Sequence, residues 1–304
     1  DIGGTSIKGG LVNEKGILTE TFSLPINKSL NQDQQIDELI NIIKKTYKND
    51  QFLGIGLGIP GSIDSKRGIV SYSNNLKWEN LNIVEKFKKE FPNKEIAINN
   101  DANVAALGEL TFGAAKNEKN IILITLGTGL GSGIIIDGKI YEGEDGRGAE
   151  IGHSLLVMDG IDCTCGRKGC FEMYASASAL IKQTKKAIED NPDSLLCKEN
   201  IGKNINAKTV FDAAKRGCKV ASGVVDNYVK YLSEGFLNIS NIFRPSSIIL
   251  SGGVANEKEY LIDKIKKYMG KFGYGFPPTK IVDIKCSMLG YNSGIMGAAS
   301  LLLK

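Results

Sequence analysis

The sequence predicts an α/β protein built as two lobes. Short apolar runs bounded by Gly, Asn and Asp alternate with segments of helical period along the whole chain. Antiparallel hairpin signals stand among them, which argues against one simple wound parallel sheet. A glycine-rich segment also recurs: "DIGGTSIKGGLVN" from Asp1 aligns without a gap on "TLGTGLGSGIIID" from Thr125, each with glycines first, apolar residues next and Asn13 or Asp137 at the turn. That duplication predicts two Gly-rich hairpins, one per lobe, facing each other across a cleft. At 304 residues, 42% of them hydrophobic, the chain is long enough for two domains with sizeable cores.

The elements follow in order. "SIKGGLVNEKGILTETFS" alternates as a β-hairpin turning at Asn13 to Gly16. In "DQQIDELINIIKKTYK", Ile36, Leu39, Ile40, Ile43 and Tyr47 recur at helical spacing. "FLGIGLGIPG" reads as a buried strand ending in a loop, and "NIVEKFKKEF" as a helix stopped by Pro92. "EIAINN" is a strand, and "DANVAALGELTFG" a helix with Asp101 near its start. "NIILITLGTGLGSGIIIDGKIYEG" reads as strand, Gly-rich turn, strand, Asp137-Gly138 turn, strand. A cysteine-rich loop then opens into the helix "ASASALIKQTKKAIED", and residues 207–243 read as two helices. "SSIILSGG" is a strand with a Gly turn, and "NEKEYLIDKIKKYMG" and "SGIMGAASLLLK" are helices. A soft boundary falls at residues 112–120, dividing a first lobe of 1–116 from a second of 117–290.

Composition excludes several classes. With 38 basic and 34 acidic residues, net charge +4, the balance is too even for a nucleic-acid partner. Lysines such as Lys44, Lys45 and Lys48 read as a solvated helix face. No stretch approaches the ~20 apolar residues of a membrane span, and no signal peptide is visible. Six cysteines in a chain of this length are not a secreted disulfide scaffold, so a reducing cytoplasm is expected. Cys197, Cys218 and Cys286 are scattered and read as ordinary thiols.

Glycine lets backbone N–H groups approach an anion closely, and Thr5, Ser6 and Thr128 add hydroxyl donors. Taken together, the two Gly-rich turns suit phosphate. Each leads into a strand rather than a helix, so neither is a dinucleotide fingerprint, and neither carries the P-loop Lys-Ser/Thr pair. Asp101 follows a strand and opens a helix. It suits an N-cap, and equally a general base held by its backbone within reach of a hydroxyl. The lone histidine and three cysteines form His153-x9-Cys163-x-Cys165-x4-Cys170. One nitrogen and three sulfurs make a closed tetrahedral set, the pattern of structural zinc, whereas a redox pair favours Cys-x-x-Cys. Glycines at 160, 166 and 169 let a short loop fold around an ion. Glu150 and Glu172 bracket that loop, and two carboxylates held in this way can accept hydrogen bonds from sugar hydroxyls.

Together "DIGGT", "GIPG" (58–61), "NNDAN" (99–103), "LGTGLGSG", "EIGH" (150–153), "CTCGRKGCFE" (163–172) and "SGG" (251–253) resemble, in order and over essentially the whole chain, the ROK family of bacterial sugar kinases and sugar-responsive repressors. The resemblance implies an actin-like, ribonuclease-H-like ATPase fold with ATP and a sugar in an interlobe cleft. It implies that the closing helix, about 291–304, rejoins the first lobe. Asp101 is then the base for the sugar hydroxyl, and Gly61, Asn100, Glu150, His153 and Glu172 contact the sugar. His153 binds zinc through one ring nitrogen and a sugar hydroxyl through the other. Gly3, Gly4, Thr5 and Lys8 lie near the phosphates, Asp1 near magnesium, and Thr128, Gly129, Gly252 and Gly253 line the nucleotide. "FEMYASASAL" and "TVFDAAKRG" (209–217) are similar to the glucokinase branch, whereas "SMLGYNSGIMGAA" departs from it around Tyr291. The expectation is an ATP-dependent kinase making glucose 6-phosphate, acting as a homodimer or larger. N-acetylmannosamine and fructose are alternative sugars. A sugar-sensing regulator is the reading from another class; it would need a DNA-binding helix-turn-helix, which these residues do not contain.

Overall fold

The structure is a computed structural model and describes residues 1–48, 50–275 and 280–303. The chain divides into two compact units. One holds Asp1–Leu123, Gly133–Ala149 and Met288–Lys304; the other holds Ile124–Ser132 and Glu150–Ser287.

The first unit opens with the antiparallel hairpin β1 (Ser6–Val12) and β2 (Leu18–Pro25). Its turn is built by the Asn13 side chain, whose Oδ1 accepts Lys15 N–H and Ile17 N–H, both at 3.0 Å. Helix α1 (Gln32–Thr46) starts on an Asn31/Gln34 capping box and buries Ile36, Leu39, Ile40 and Ile43, the stripe its period predicts. Strand β3 (Gly54–Ile59) is followed by a three-stranded antiparallel meander, β4 (Ser62–Asp64), β5 (Ile69–Ser73) and β6 (Trp78–Asn82). The meander has no clear sequence signal because its strands are short and mixed in polarity. It is pinned instead by buried Trp78, whose indole N–H donates to Gln35 Oε1 at 2.7 Å. After α2 (Ile83–Glu90), β7 (Glu95–Asn100) lies parallel to β3 with Ile59 opposite Asn100, and runs directly into α3 (Asp101–Phe112).

Strands β8 (Ile121–Leu126), β9 (Leu130–Ile136) and β10 (Lys139–Ile140) follow. β9 turns into β10 through Asp137 and Gly138, both at positive φ, as a tight hairpin requires. Strand β9 begins and ends at the same offsets from Thr125 as β1 does from Asp1, so the recurring segment yields the same local structure twice. Residues 133–149 group with the first unit, and Gly133 lies against the Ala102 carbonyl of α3. Residues 133–149 thus lie in the first unit although 124–132 lie in the second.

The second unit contains the cysteine loop, then α4 (Glu172–Ala175), α5 (Ala177–Asp190), α6 (Leu195–Lys198), α7 (Ala207–Lys215) and the long α8 (Lys219–Phe243). Strand β11 (Ser247–Ser251), α9 (Glu259–Phe272) and β12 (Asp283–Cys286) complete it. Strands β11 and β12 belong to a five-stranded sheet of order β10-β9-β8-β11-β12, in which β11 and β12 are parallel.

The chain then returns to the first unit as α10 (Ser293–Ser300), which crosses α3 backbone against backbone. A Cβ on Gly297 would overlap the Val104 carbonyl oxygen, and one on Gly108 would stand 2.6 Å from Ser293 O. Glycines therefore stand where the two helices cross, and most of both helices is buried. Gly297→Val is expected to destabilise the protein by about 3 kcal/mol, since neither backbone can retreat; urea unfolding measures it.

Candidate active site and metal centre

In the first unit the junction of β7 and α3 gathers three of the expected residues. Asn100, not Asp101, caps the helix: its Oδ1 accepts Ala102 N–H at 2.9 Å and Asn103 N–H at 3.3 Å. The physical reason is register. Strand β7 ends at Asn100, which keeps extended dihedrals, and Asp101 is already helical. The Asn100 amide also donates to Gly61 O at 3.1 Å, so this side chain shapes the turn as well as facing the site. Gly61 sits at φ 122°, and a Cβ there would stand 2.9 Å from the Ser73 Cα; only glycine fits. The half-buried Asp101 carboxylate lies at the positive end of α3, where the helix favours its charge, and its Oδ1 accepts Ala102 N–H at 2.9 Å.

The first Gly-rich turn is held by Gly3 N–H to Ser6 O and Lys8 N–H to Asp1 O, both 2.8 Å, and joins β3 through Ile2 N–H to Gly58 O at 2.8 Å. Thr5 is exposed at its tip. Gly4 packs beside Asn75. The Asp1 carboxylate fits against Gly294 in the first turn of α10, leaving no room for a side chain there. The Lys8 ammonium lies 5.3 Å from the centroid of the exposed Tyr291 ring. The residue at which the sequence departs from the glucokinase pattern thus adjoins the turn expected to hold phosphates.

In the second unit, Gly127 N–H closes on Gly129 O at 3.1 Å, with Thr128 exposed between them. Glu172 reaches this turn: its Oε2 accepts Leu130 N–H at 2.8 Å, and it fills the space a Gly129 side chain would need. Gly252 packs on the Leu126 backbone, its virtual Cβ 2.6 Å from Leu126 O. Because β8 and β11 are neighbours, Thr128, Gly129, Gly252, Gly253 and Glu172 all come to one end of this sheet. A carboxylate expected to serve the sugar therefore also braces the Gly-rich turn.

The cysteine loop brings its four donors together. One ligand atom each from His153, Cys163, Cys165 and Cys170 all lie within 4.8 Å of one another. Cys163 Sγ is 3.6 Å from His153 Nδ1, and Cys165 Sγ is 3.6 Å from Cys170 Sγ. Those separations match the edge of a zinc tetrahedron with metal–sulfur bonds of ~2.3 Å, roughly 3.8 Å. They are far longer than a disulfide of ~2.05 Å. The loop is shaped by Cys163 N–H to Arg167 O (2.8 Å), Gly166 N–H to Cys163 O (3.0 Å) and Gly169 N–H to Ile161 O (2.8 Å). Gly169, at φ 77°, lies so close to the Val157 carbonyl that no Cβ fits. Burial and the neighbouring thiols push Cys170 up to about 12, while the Arg167 N–H pulls Cys165 down. A divalent ion, which binds thiolates, would override that split.

Glu150 and His153 share the short helical turn Ile151–His153, with His153 N–H on Glu150 O at 3.1 Å. Crowding by protein raises the Glu150 carboxyl above its ordinary value; His153 partly offsets this and Glu172 adds to it. Nδ1 of His153 faces the sulfur cluster, which leaves Nε2 for another partner.

Three supporting residues had no role assigned to them from the sequence. Tyr174 Oη accepts Ile161 N–H at 2.8 Å and steadies the cysteine loop. Phe171 sits on the bare backbone of Gly235 in α8, and its ring contacts Phe236. Fully buried Glu109 accepts Ala114 N–H at 2.8 Å, Met288 N–H at 3.1 Å and Leu289 N–H at 3.0 Å, tying the end of α3 to the approach to α10. Its place at the eighth helical position after "ND" offered the sequence no chemical cue.

The ROK family profile matches residues 1–304. The glucokinase of Streptomyces coelicolor is 32% identical over 305 residues, covering 99% of this chain and 95% of its own. The xylose repressor of Bacillus spizizenii is 31% identical over 308 residues, covering 100% of this chain and 76% of its own. The crystal structure of a ROK family glucokinase from Streptomyces griseus, in complex with glucose and AMPPNP, matches with TM-score 0.83 at 32% identity, covering 99% of this chain and 96% of that one. The fold is the actin-like ATPase fold expected from the sequence, and the chain belongs to the ROK family.

Proposed function

We propose that this chain is an ATP-dependent sugar kinase that phosphorylates glucose at its 6-hydroxyl. The observation that carries the reading is the β7–α3 junction. Asn100 accepts two N–H groups at the helix start and holds Gly61 through its own amide, and the Asp101 carboxylate stands next in the chain at that helix start. Asp101 takes the proton of the 6-hydroxyl as that oxygen forms a bond to the γ-phosphorus. The bond from the γ-phosphorus to the β–γ bridging oxygen breaks, and ADP leaves with the electron pair. Gly4, Thr5 and Lys8, with Thr128, Gly129, Gly252 and Gly253, offer N–H, hydroxyl and ammonium donors to the phosphates, while Gly3 shapes the turn through its N–H to Ser6 O. Asp1 offers the hard carboxylate that magnesium prefers, and the ion would neutralise phosphate charge when bound. Zinc, held by His153, Cys163, Cys165 and Cys170, would be structural, since four protein donors close its shell. Glu150, Glu172 and His153 Nε2 then meet the sugar hydroxyls, together with Asn100 and Gly61. The glucose and AMPPNP named for the Streptomyces griseus relative support these substrates. The homodimer or larger assembly expected from the resemblance and the cytoplasmic setting expected from cysteine usage belong to the same proposal. Among the described residues no helix is long and apolar enough to cross a membrane.

The test is ADP release with a panel of glucose, mannose, fructose, N-acetylglucosamine and N-acetylmannosamine. Glucose is expected to exceed the others in kcat/KM by about tenfold or more. Preference for an N-acetylhexosamine would move the substrate and keep the chemistry. Sugar binding with no turnover of any sugar would overturn the kinase reading. It would favour a sugar-sensing role, for which the likeness to the xylose repressor is the supporting observation.

A further inference from the structure

We propose that Glu142 is a positioning residue that sets the geometry of the Asp101 turn through Asn99; this rests on the reading of Asp101 as the base. Glu142 follows β10 and is half-buried. One carboxylate oxygen accepts the Asn99 amide N–H at 2.7 Å, and the other accepts the Ser65 hydroxyl at 2.9 Å. Asn99, 5% exposed, turns its own Oδ1 to two donors: Asn100 N–H at 2.8 Å and Asn103 Nδ2 at 3.1 Å. These contacts end one residue before Asp101.

The polarity of this chain of bonds follows from Glu142. An ionised carboxylate accepts and never donates, so the NH2 of Asn99 must face it. The Asn99 oxygen is thereby forced toward Asn100 and Asn103. Oxygen and NH2 are nearly the same size, so packing alone does not choose between the two orientations of a buried amide. The wrong one would set donor against donor at the Asn100 N–H, where strand becomes helix. The network has no slack to absorb this. Asn103 is 4% exposed, and its Oδ1 is already without a partner among the described residues. Ser65, between β4 and β5, holds the second oxygen, so the carboxylate cannot swing away without losing that bond.

Three variants test this. Glu142→Gln keeps the shape but no longer imposes polarity; kcat is expected to fall about 10-fold. Glu142→Ala removes the hold and is expected to lower kcat about 100-fold. In both, the sugar Kd stays within about twofold and Tm within a few degrees, because the turn is misaimed rather than unfolded. The double variant Asn99→Asp with Glu142→Gln restores the polarity with the roles exchanged. The carboxylate then stands at position 99, where it accepts from the new amide at position 142, from Asn100 N–H and from the Asn103 side chain. In this variant kcat is expected to return to within about threefold of the parent. Unchanged kcat in Glu142→Ala, loss of kcat only in step with Kd and Tm, or absence of rescue would each overturn the proposal. Amide hydrogen exchange separates it from the kinase reading. Glu142→Ala should speed exchange at Asn100 at least about tenfold and leave the second half of α3 unchanged, whether or not any sugar is turned over. Unaltered exchange at Asn100 would also refute it.

Discussion

Asp101→Asn is expected to lower kcat by between about 100- and 10,000-fold, the usual contribution of a positioned general base. The variant keeps the volume and the Oδ1 acceptor that receives Ala102 N–H, and the helix cap belongs to Asn100. Stability should therefore change by less than about 1 kcal/mol, the usual worth of a charge at a helix start. Sugar affinity should stay within about threefold, because the lost function appears in the transition state rather than the bound ground state. The measurement pairs ADP release with sugar titration by calorimetry. Near-normal turnover would show that another group takes the hydroxyl proton.

Removing the metal is expected to weaken sugar binding and stability together. Cys165→Ser is the variant of choice, since Cys165 is exposed and its replacement leaves no cavity, whereas Cys163 and Cys170 are buried. It deletes one of four donors and swaps a thiolate for a poor ligand. The loop then loses the tie between His153 and Cys170, which stands next to Phe171 and Glu172. Zinc content by elemental analysis should fall, and Tm should drop by about 5–10 °C, equivalent to roughly 2–4 kcal/mol. Sugar Kd should rise about tenfold or more, because Glu150, His153 and Glu172 lose their common frame. Cys197→Ser, in α6, is the control and should alter none of these. Zinc-free protein with parental sugar affinity would refute the role of the loop as a clamp.

Much of the molecule was legible because the signals are short-ranged. The turn at Asn13 to Gly16 and the Asp137-Gly138 turn are demanded by dihedrals that few residues adopt. Helix α1 follows from its period of apolar residues, Ile36, Leu39, Ile40 and Ile43. His153, Cys163, Cys165 and Cys170 sit within eighteen residues, so their coming together as a cluster was legible from their spacing. The alignment of Asp1 on Thr125 places β1 and β9 at matching offsets without appeal to any contact.

What tertiary structure alone decided is the division of labour among polar side chains. Register between β3 and β7 made Asn100 the cap and left Asp101 as the first helical residue. The return of α4 to the Gly127–Gly129 turn gave Glu172 a second duty at Leu130. Lys8 met Tyr291, and Glu109 met Met288 and Leu289, across most of the chain. The β4–β6 meander and the bonds from Glu142 to Asn99 and Ser65 have no local pattern to betray them. The physical reason is one of range. Propensities, caps and turn dihedrals act over a few residues and can be read along the chain. A buried carboxylate or amide takes its role from whichever donors packing brings within about 3 Å, and packing joins residues that sequence keeps far apart.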